Sequence, residues 1–210
     1  MNADARAIRI LVVDDHPLLR GGINALLADQ PDMTVVAEGT TGHDAIRQFR
    51  AHRPDITLMD LQMPEMNGLD AIMAIRGEFP DARIIVLTTY AGDVQAMRAL
   101  QAGARAYLLK ASVHKELLDT IRSVHAGKKA MSPEVSYELA EHATDDALTP
   151  AEIEVLRLIA AGRANKQIAD RLAITEDTVK GRVKNILSKL GASDRTHAVT
   201  IGVKRGIIEL

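Results

Sequence analysis

The sequence predicts a doubly wound α/β domain followed by a small all-helical domain. From residue 8 to about 126, short runs rich in β-branched residues alternate with segments whose apolar residues recur every three or four positions. Apolar strands separated by helices are typical of a parallel sheet that is covered on both faces. A polar residue follows most of these runs, and from residue 148 onward the pattern is helical only.

Five runs define the strands of the predicted sheet. They lie at 8–13, 33–37, 55–59, 83–87 and 106–109. Segments between them, such as HDAIRQFRAH and DVQAMRALQAG, have the apolar spacing of amphipathic helices. Five such βα units predict a flavodoxin-like domain with a five-stranded parallel sheet over residues 7–126.

The alternation of strand-like and helix-like segments stops at residues 127–147, which include a polar, acidic stretch that ends at Asp145 and Asp146. We interpret the segment as a linker, with a short helix starting after Ser132-Pro133.

Residues 148–210 then predict a four-helix domain. Thr149-Pro150 with Glu152 has the pattern of a helix cap, a first-turn proline and a capping-box acid, and Gly162 suits the end of that helix. We expect the later helices at 165–172, from Thr175 after a tight connection at Ala173-Ile174, and from Ser193-Asp194.

Composition narrows the class of protein. The chain has 210 residues, of which 47% are hydrophobic and 26% charged, so disorder throughout is not expected. Aromatic residues make up 2%, too few for the stacking platforms of proteins that bind RNA or single strands. The absence of cysteine excludes a disulfide framework, a thiolate metal site and a cysteine nucleophile.

Charge and hydropathy add to this picture. Residues 147–210 carry 11 Lys+Arg and 7 Asp+Glu, a basic excess that permits DNA binding, whereas residues 1–146 carry 15 and 21. The start, MNADARAIRI, lacks the apolar stretch of a signal peptide, and no run of about eighteen apolar residues occurs. We therefore expect no membrane span and a cytoplasmic location.

Five polar residues stand at strand ends and predict the functional site. Asp14 and Asp15 follow the first run, Asp60 the third, Thr88 the fourth and Lys110 the fifth. Parallel sheets gather such groups at the carboxyl ends of their strands. Three carboxylates that meet there repel one another unless a cation shares them, and oxygen ligands favour Mg²⁺ together with a phosphate. Asp60 is the predicted nucleophile, because a carboxylate can form an acyl phosphate.

These residues resemble a known family. The motifs DDHPLLR, MDLQMPEMNG, LTTY and GARAYLLK look like the receiver domain of bacterial two-component response regulators over roughly 7–126. The resemblance implies that Asp60 accepts phosphate from the phosphohistidine of a sensor histidine kinase. It also implies a metal held by Asp14, Asp15, Asp60 and the Gln62 backbone carbonyl.

By the same resemblance, Thr88 and Lys110 contact the phosphoryl group, and Tyr107 matches the aromatic residue that changes rotamer on activation. Ala111 stands where many receivers have proline. We expect His16, beside Pro17, to start a helix rather than bind the metal.

The helix from Thr175 is the predicted DNA-reading element. Its apolar residues fall on one face at helical spacing, opposite a face that presents Lys180, Gly181 and Lys184. With the preceding helix it forms the two-helix arrangement that enters a major groove, although a protein-binding module would show the same spacing. The apolar positions are Val179, Val183, Ile186, Leu187 and Leu190.

Residues 148–210 resemble the LuxR/NarL-type C-terminal domain, which binds double-stranded DNA as a dimer. The resemblance implies groove-facing roles for Lys180 and Lys184 and phosphate contacts for Thr178 and Arg182. Gly181 departs from the larger residue common at its position, so one base contact is expected to be absent, or the backbone to lie closer to the DNA.

The whole chain thus resembles a NarL/FixJ-family response regulator, with Mg²⁺ as cofactor, dimerisation on activation and RNA polymerase as a further candidate partner. Such a regulator is not an enzyme beyond its own phosphotransfer and slow autodephosphorylation. Two alternatives remain open. One is a phosphatase with an aspartate nucleophile, which would usually have a second acid where Gln62 stands. The other is a constitutive DNA binder with a structural receiver.

Overall fold

A computed structural model describes residues 6–89, 92–131, 133–142 and 146–208. The chain separates into two compact units. The first comprises residues 1–89 and 96–136, and the second comprises residues 90–95 and 137–210.

The first unit is a parallel sheet with helices, as the strand pattern predicts. The sheet has the order β2-β1-β3-β4-β5-β6, and every described pair of neighbouring strands is parallel. Its strands are β1 Ile8–Val13, β2 Met33–Gly39, β3 Ile56–Asp60, β4 Ile84–Thr88, β5 Ala106–Leu109 and β6 Ala130–Met131. The helices between them are α1 Pro17–Ala28, α2 Gly42–His52, α3 Gly68–Glu78, α4 Asp93–Gln101 and α5 Val113–His125, with a 3-10 turn at Lys110–Ser112.

The flavodoxin-like class is confirmed, but the strand count was one too low. The additional strand, β6, lies in the segment interpreted as a linker and pairs in parallel with β5 through Ala130 and Met131. Two residues are too few to show a hydrophobic period, so the sequence carries no signal for this strand.

The central strands are apolar because both of their faces are covered. All residues of β3 and β4 are buried, and β1 is buried except for Arg9. The core lies between these strands and the inner faces of the helices; helix α1 contributes Ile23 and Leu27, and helix α5 contributes Leu117 and Ile121. The rigid sheet fixes the positions of the residues that follow each strand.

The second unit contains the predicted four helices. They are α7 Pro150–Ala160, α8 Asn165–Leu172, α9 Glu176–Leu190 and α10 Arg195–Lys204. The short helix expected in the linker segment is α6, Pro133–Glu141, while Ser132 and Asp145 lie outside the described residues. The five apolar positions of α9 pack into a core with α7, α8 and α10, as the spacing predicts.

A buried acid holds the start of α7. Thr149 and Glu152 form the predicted capping box, and Glu152 also pairs with Lys189 of α9 at 2.9 Å. Burial raises the pKa of the Glu152 carboxyl, but the hydrogen bond from the Thr149 backbone and the contacts with Lys189 outweigh it, so the pKa is lowered. The cap therefore joins two helices of the domain. Within the described part of the chain, no helix is long and apolar enough to cross a membrane.

Candidate functional site

The three predicted acids meet at the carboxyl edge of the sheet. Asp14 and Asp15 directly follow β1, and Asp60 is the last residue of β3, which pairs with β1. Asp14 and Asp60 are buried, with 0% and 1% of their surface exposed, and Asp15 is half-buried. One ligand atom from each of these acids, and one from His16, all lie within 4.8 Å of one another.

Lys110 supplies the positive charge of the site. Its Nζ lies 2.9 Å from Asp14 Oδ2 and 2.8 Å from Asp60 Oδ2. The lysine begins the 3-10 turn directly after β5, two strands away from β3. Burial alone would lower the pKa of the Lys110 ammonium, but its contacts with Asp60 and Asp14 raise the pKa overall. The lysine is therefore charged at neutral pH.

Asp60 carries an unfavourable charge that the site only partly offsets. Burial raises the pKa of its carboxyl, and the neighbouring Asp14 adds to the rise, against the lowering effect of Lys110. The Gln62 backbone N–H also donates to Asp60 Oδ1 at 3.2 Å. The ionised form of Asp60 is therefore stabilised when a cation binds beside it, or when its negative charge passes to a group that is better stabilised.

The loop after Asp60 is folded tightly against the strand end. Gly68, the first residue of α3, donates its N–H to the Leu61 carbonyl at 2.9 Å. A Cβ atom placed on Gly68 would lie 1.9 Å from the Asp60 carbonyl oxygen. Glu65 takes a positive φ of 65° at the turn. Glycine is therefore required at position 68 for the loop to close beside Asp60.

Thr88 and Tyr107 form a neighbouring pair on β4 and β5. Thr88 ends β4 and lies opposite Leu109 in the sheet register, directly before Lys110. Both Thr88 and Tyr107 are buried, and their side chains are hydrogen bonded to each other. Burial raises the pKa of the Tyr107 hydroxyl to about 12. The hydrogen bond with Thr88 thus helps to hold the Tyr107 ring in its buried position.

Two residues near the site were not among the predicted site residues. The Arg20 guanidinium donates to the Asp14 backbone carbonyl at 2.8 Å and pairs with Glu38 at 2.7 Å. His16 begins α1 as its N-cap, as expected, but its ring Nδ1 also lies 2.7 Å from Asp15 Oδ1. Glu38 next to the end of β2 is a strand-end acid that the same reasoning could have included.

The donor set fits a hard divalent cation. Within the described ranges, the buried oxygens Asp14 Oδ2 and Asp15 Oδ1 accept no hydrogen bond of good geometry, although Lys110 pairs with the first. A buried carboxylate oxygen without a hydrogen bond is costly unless a cation compensates it. Oxygen ligands from two or more carboxylates are what Mg²⁺ prefers.

Helix α9 presents the predicted polar face to solvent. Thr178, Lys180, Gly181 and Lys184 are exposed, whereas Arg182 is half-buried. Lys180 Nζ lies 3.8 Å from Glu176 and donates a hydrogen bond to Asp177 at 3.1 Å, and this hydrogen bond raises the pKa of the lysine. Nothing lies within 4 Å of a Cβ placed on Gly181. The face is an open, partly ion-paired surface.

The start of α9 is fixed by its cap. Thr175 accepts a hydrogen bond from the Thr178 N–H, and α8 ends at Ala173 in the left-handed conformation with φ 51°. The tight connection predicted at Ala173-Ile174 is thus present.

Both compact units are similar to known protein domains. Residues 10–122 match the response regulator receiver domain, and residues 146–201 match the bacterial regulatory proteins of the luxR family. The chain is 38% identical to the response regulator protein VraR of Staphylococcus epidermidis, covering 97% of this chain and 100% of that protein. It is 42% identical to the transcriptional regulatory protein YhcZ of Bacillus subtilis, covering 94% and 96%.

A solved structure extends the likeness to the fold. RcsB from Salmonella enterica, bound to a promoter in the presence of the phosphomimetic BeF3−, has a TM-score of 0.74 with this chain at 28% identity. The alignment covers 93% of this chain and 98% of RcsB.

The fold, the strand-end site and these relatives define a two-component response regulator with a LuxR-type DNA-binding domain. The chain belongs to the NarL/FixJ family of these transcription regulators.

Proposed function

We propose that this chain is a phosphorylation-controlled transcription factor that accepts a phosphoryl group on Asp60 from a sensor histidine kinase. One observation carries the proposal. A buried carboxylate with a raised pKa, Asp60, lies 2.8 Å from the Lys110 ammonium, which also pairs with Asp14. This arrangement supports the roles of Asp60 as nucleophile, Lys110 as the cation that binds the phosphoryl group and Asp14 as a metal-binding acid.

The chemistry follows from these groups. A carboxylate oxygen of Asp60 attacks the phosphorus of the phosphohistidine, the O–P bond forms and the N–P bond breaks. The leaving imidazole nitrogen takes up a proton. Lys110, which stays protonated, stabilises a phosphoryl oxygen, and the Thr88 hydroxyl donates to another. Asp14, Asp15, Asp60 and the Gln62 carbonyl would hold Mg²⁺, which neutralises phosphoryl charge when bound.

The Thr88–Tyr107 hydrogen bond supports a route for the signal. If Thr88 turns toward the phosphoryl group, its bond to Tyr107 is lost and the buried ring becomes free to change rotamer. A phosphoryl group shifts a protein between two states only if it contacts them differently, and this exchange of partners supplies the difference. We propose that the shift promotes dimerisation and binding to a two-fold DNA site.

For DNA recognition, we propose that α9 enters the major groove. Lys180 and Lys184 then face base edges, and Thr178 and Arg182 contact phosphates. At Gly181 no side chain reads a base, and the open space above it lets the backbone approach the DNA. The exposed α9 face of the luxR-family domain supports this orientation.

We propose the domain bounds, reactions, location and further partner of this regulator as follows. The receiver spans 7–126, the linker 127–147 and the DNA-binding domain 148–210. Phosphotransfer to Asp60 and slow autodephosphorylation are the only reactions of this regulator, which acts on DNA in the cytoplasm. RNA polymerase is a candidate partner at the promoter.

The acceptor is tested by phosphate labelling. The full chain is incubated with radiolabelled acetyl phosphate and Mg²⁺, and we expect wild type to take up label that Asp60→Asn does not. Asp119→Asn, which changes a carboxylate that is 90% exposed on α5, is the matched control and should label like wild type. Equal labelling of Asp60→Asn and wild type would show that another residue is the acceptor.

The groove contact is tested by the salt dependence of DNA binding. Lys184→Ala should weaken binding to an operator and, because it removes a cation at the DNA surface, make the fall of log K with log salt concentration less steep. Arg157→Ala removes a cation from α7 and serves as the control. Unchanged affinity and slope for Lys184→Ala would contradict the placement of α9.

A further inference from the structure

The turn between β1 and α1 carries two adjacent acids of the proposed metal site, and hydrogen bonds hold the first of them in place. The Asp14 N–H donates to the Gly39 carbonyl at the end of β2 at 3.2 Å. The Asp14 carbonyl accepts from the Arg20 guanidinium at 2.8 Å, and its carboxylate accepts from the His16 N–H at 2.8 Å. Together with the contact from Lys110, these bonds fix both the main chain and the side chain of Asp14.

The hydrogen bond from Arg20 also bears on the next acid, Asp15. The Asp14 carbonyl belongs to the planar peptide group that contains the Asp15 nitrogen. A change in the direction of this carbonyl therefore turns the peptide plane and moves the Asp15 carboxylate. The Asp15 side chain is 31% exposed and that of Asp14 is fully buried, so the backbone has the larger part in fixing the direction of Asp15.

Arg20 is itself held in place by an acid of β2. Its Nε donates to Glu38 Oε2 at 2.7 Å, and the Asn24 amide donates to the other Glu38 oxygen at 2.8 Å. The Arg20 side chain is 18% exposed, so its guanidinium is confined between α1 and the end of β2. Glu38 directly precedes the residue whose carbonyl accepts from the Asp14 N–H, so the end of β2 holds Asp14 both directly and through Arg20.

We infer that Arg20, oriented by Glu38, is a positioning residue that sets the direction of the Asp15 carboxylate and thereby the Mg²⁺ affinity of the receiver. The inference rests on the proposed function and its Mg²⁺ site. By its charge alone, a guanidinium near a cation site repels Mg²⁺. The two effects therefore have opposite signs: removal of the guanidinium lowers Mg²⁺ affinity if Arg20 orients Asp15, and raises it if only the charge matters.

The test measures the Mg²⁺ affinity of the full chain by calorimetry. Arg20→Met keeps an unbranched apolar stem but removes the guanidinium. We expect its Mg²⁺ affinity to fall about tenfold or more, since loss of a group that orients a metal ligand costs about 10–100-fold. Arg47→Met, which removes an arginine from an exposed ion pair on α2, is the matched control and should bind Mg²⁺ like wild type. Unchanged or higher Mg²⁺ affinity of Arg20→Met would overturn the inference.

Phosphate labelling as a function of Mg²⁺ concentration separates positioning from general damage to the fold. Because Arg20 acts on Asp15 rather than on Asp60, Arg20→Met should need more Mg²⁺ for half-maximal labelling by acetyl phosphate. At saturating Mg²⁺ it should regain the wild-type rate. A variant that is merely less well folded would label less at every Mg²⁺ concentration, with an unchanged half-maximal concentration, and that pattern would overturn the inference.

Two further variants test the geometry and the role of Glu38. Arg20→Lys keeps the charge but replaces the fork that reaches both Asp14 and Glu38 by a single ammonium. Its Mg²⁺ affinity should lie between those of wild type and Arg20→Met, and wild-type affinity would overturn the inference even if Arg20→Met did not fold. Glu38→Gln should lower Mg²⁺ affinity in the wild-type chain but not in Arg20→Met, where the route through Arg20 is already lost. An equal loss in both backgrounds would show that Glu38 does not act through Arg20.

Failure of the proposed function would give a different pattern. If wild type bound no Mg²⁺, the proposed metal site would be wrong and the inference would fall with it. If the Mg²⁺ affinities behaved as expected while Asp60→Asn still took up label, the acceptor assignment would fail and the positioning role of Arg20 would stand.

Discussion

Removing the Lys110 ammonium should destabilise the receiver through the charge that it leaves behind. Lys110→Met keeps most of the side-chain volume but removes the partner of two buried carboxylates, Asp14 at 2.9 Å and Asp60 at 2.8 Å. The lysine side chain is itself only 12% exposed. The variant therefore tests whether the repulsion between Asp14 and Asp60 destabilises the receiver when the Lys110 ammonium is absent.

The expected magnitude comes from measurements on similar buried pairs. Deleting one partner of a buried ion pair costs about 3–5 kcal/mol, because the other charge stays in a poorly solvated place. Since the site lies at an edge of the sheet and Asp15 is half-buried, we expect the lower end, about 3 kcal/mol at pH 7. Lys115→Met, at an exposed position on α5, should change the free energy of unfolding by less than about 0.5 kcal/mol.

The sign of the pH dependence follows from the pKa of Asp60. This pKa is already raised by burial, and removing Lys110 takes away an opposing, lowering effect. In the folded variant, Asp60 then holds its proton to a higher pH than in the unfolded chain. Stability therefore falls as pH rises from the unfolded pKa through the folded pKa. The loss relative to wild type should be larger at pH 7 than at pH 5.

Urea denaturation of the full chain at both pH values measures this difference. Because the chain has two compact units, the receiver transition is identified by its response to Mg²⁺, which should stabilise it by about 2.7 kcal/mol at a hundred times the dissociation constant. A loss below about 1 kcal/mol, or an equal loss at pH 5 and pH 7, would refute the electrostatic reasoning.

Two further substitutions test the loop and the cap. Gly68→Ala should destabilise the receiver by about 1–3 kcal/mol and reduce labelling of Asp60, because the added Cβ would lie 1.9 Å from the Asp60 carbonyl oxygen. Gly77→Ala is the control: no atom lies within 4 Å of its added Cβ, so stability and labelling should stay unchanged. Thr149→Ala should destabilise the DNA-binding domain by about 1 kcal/mol through loss of the α7 cap, measured by thermal unfolding, and no change would contradict the capping account.

The sequence predicts the sheet well because each central strand is an apolar run followed by a polar group. Short length and β-branched composition distinguish such strands from helices. The rule that polar groups follow parallel strands predicted that Asp14, Asp60 and Lys110 lie at one edge, where Lys110 contacts both acids. Strand β6 was not predicted, because two residues are too few to show a hydrophobic period. Local pattern thus predicts the scaffold and the charged centre of the site.

Contacts that depend on side-chain direction could not be predicted in the same way. Arg20 reaches the Asp14 carbonyl from one turn inside α1, and His16 turns its ring toward Asp15 while starting the helix. A single sequence gives the residue types but not these rotamers. The local signals at the helix ends of the second domain, in contrast, are backbone properties, so the caps at Thr149 and Thr175 were predictable.

The central claim, that a phosphoryl group on Asp60 controls DNA binding, is tested most directly by operator affinity with and without phosphorylation. Fragments are first selected from a random DNA pool by the acetyl-phosphate-treated protein. Affinity for the selected fragment is then measured for wild type and Asp60→Asn, each before and after treatment. We predict that treatment tightens binding by wild type at least tenfold and leaves Asp60→Asn unchanged. Equal affinity of untreated and treated wild type, with label present on Asp60, would contradict the account.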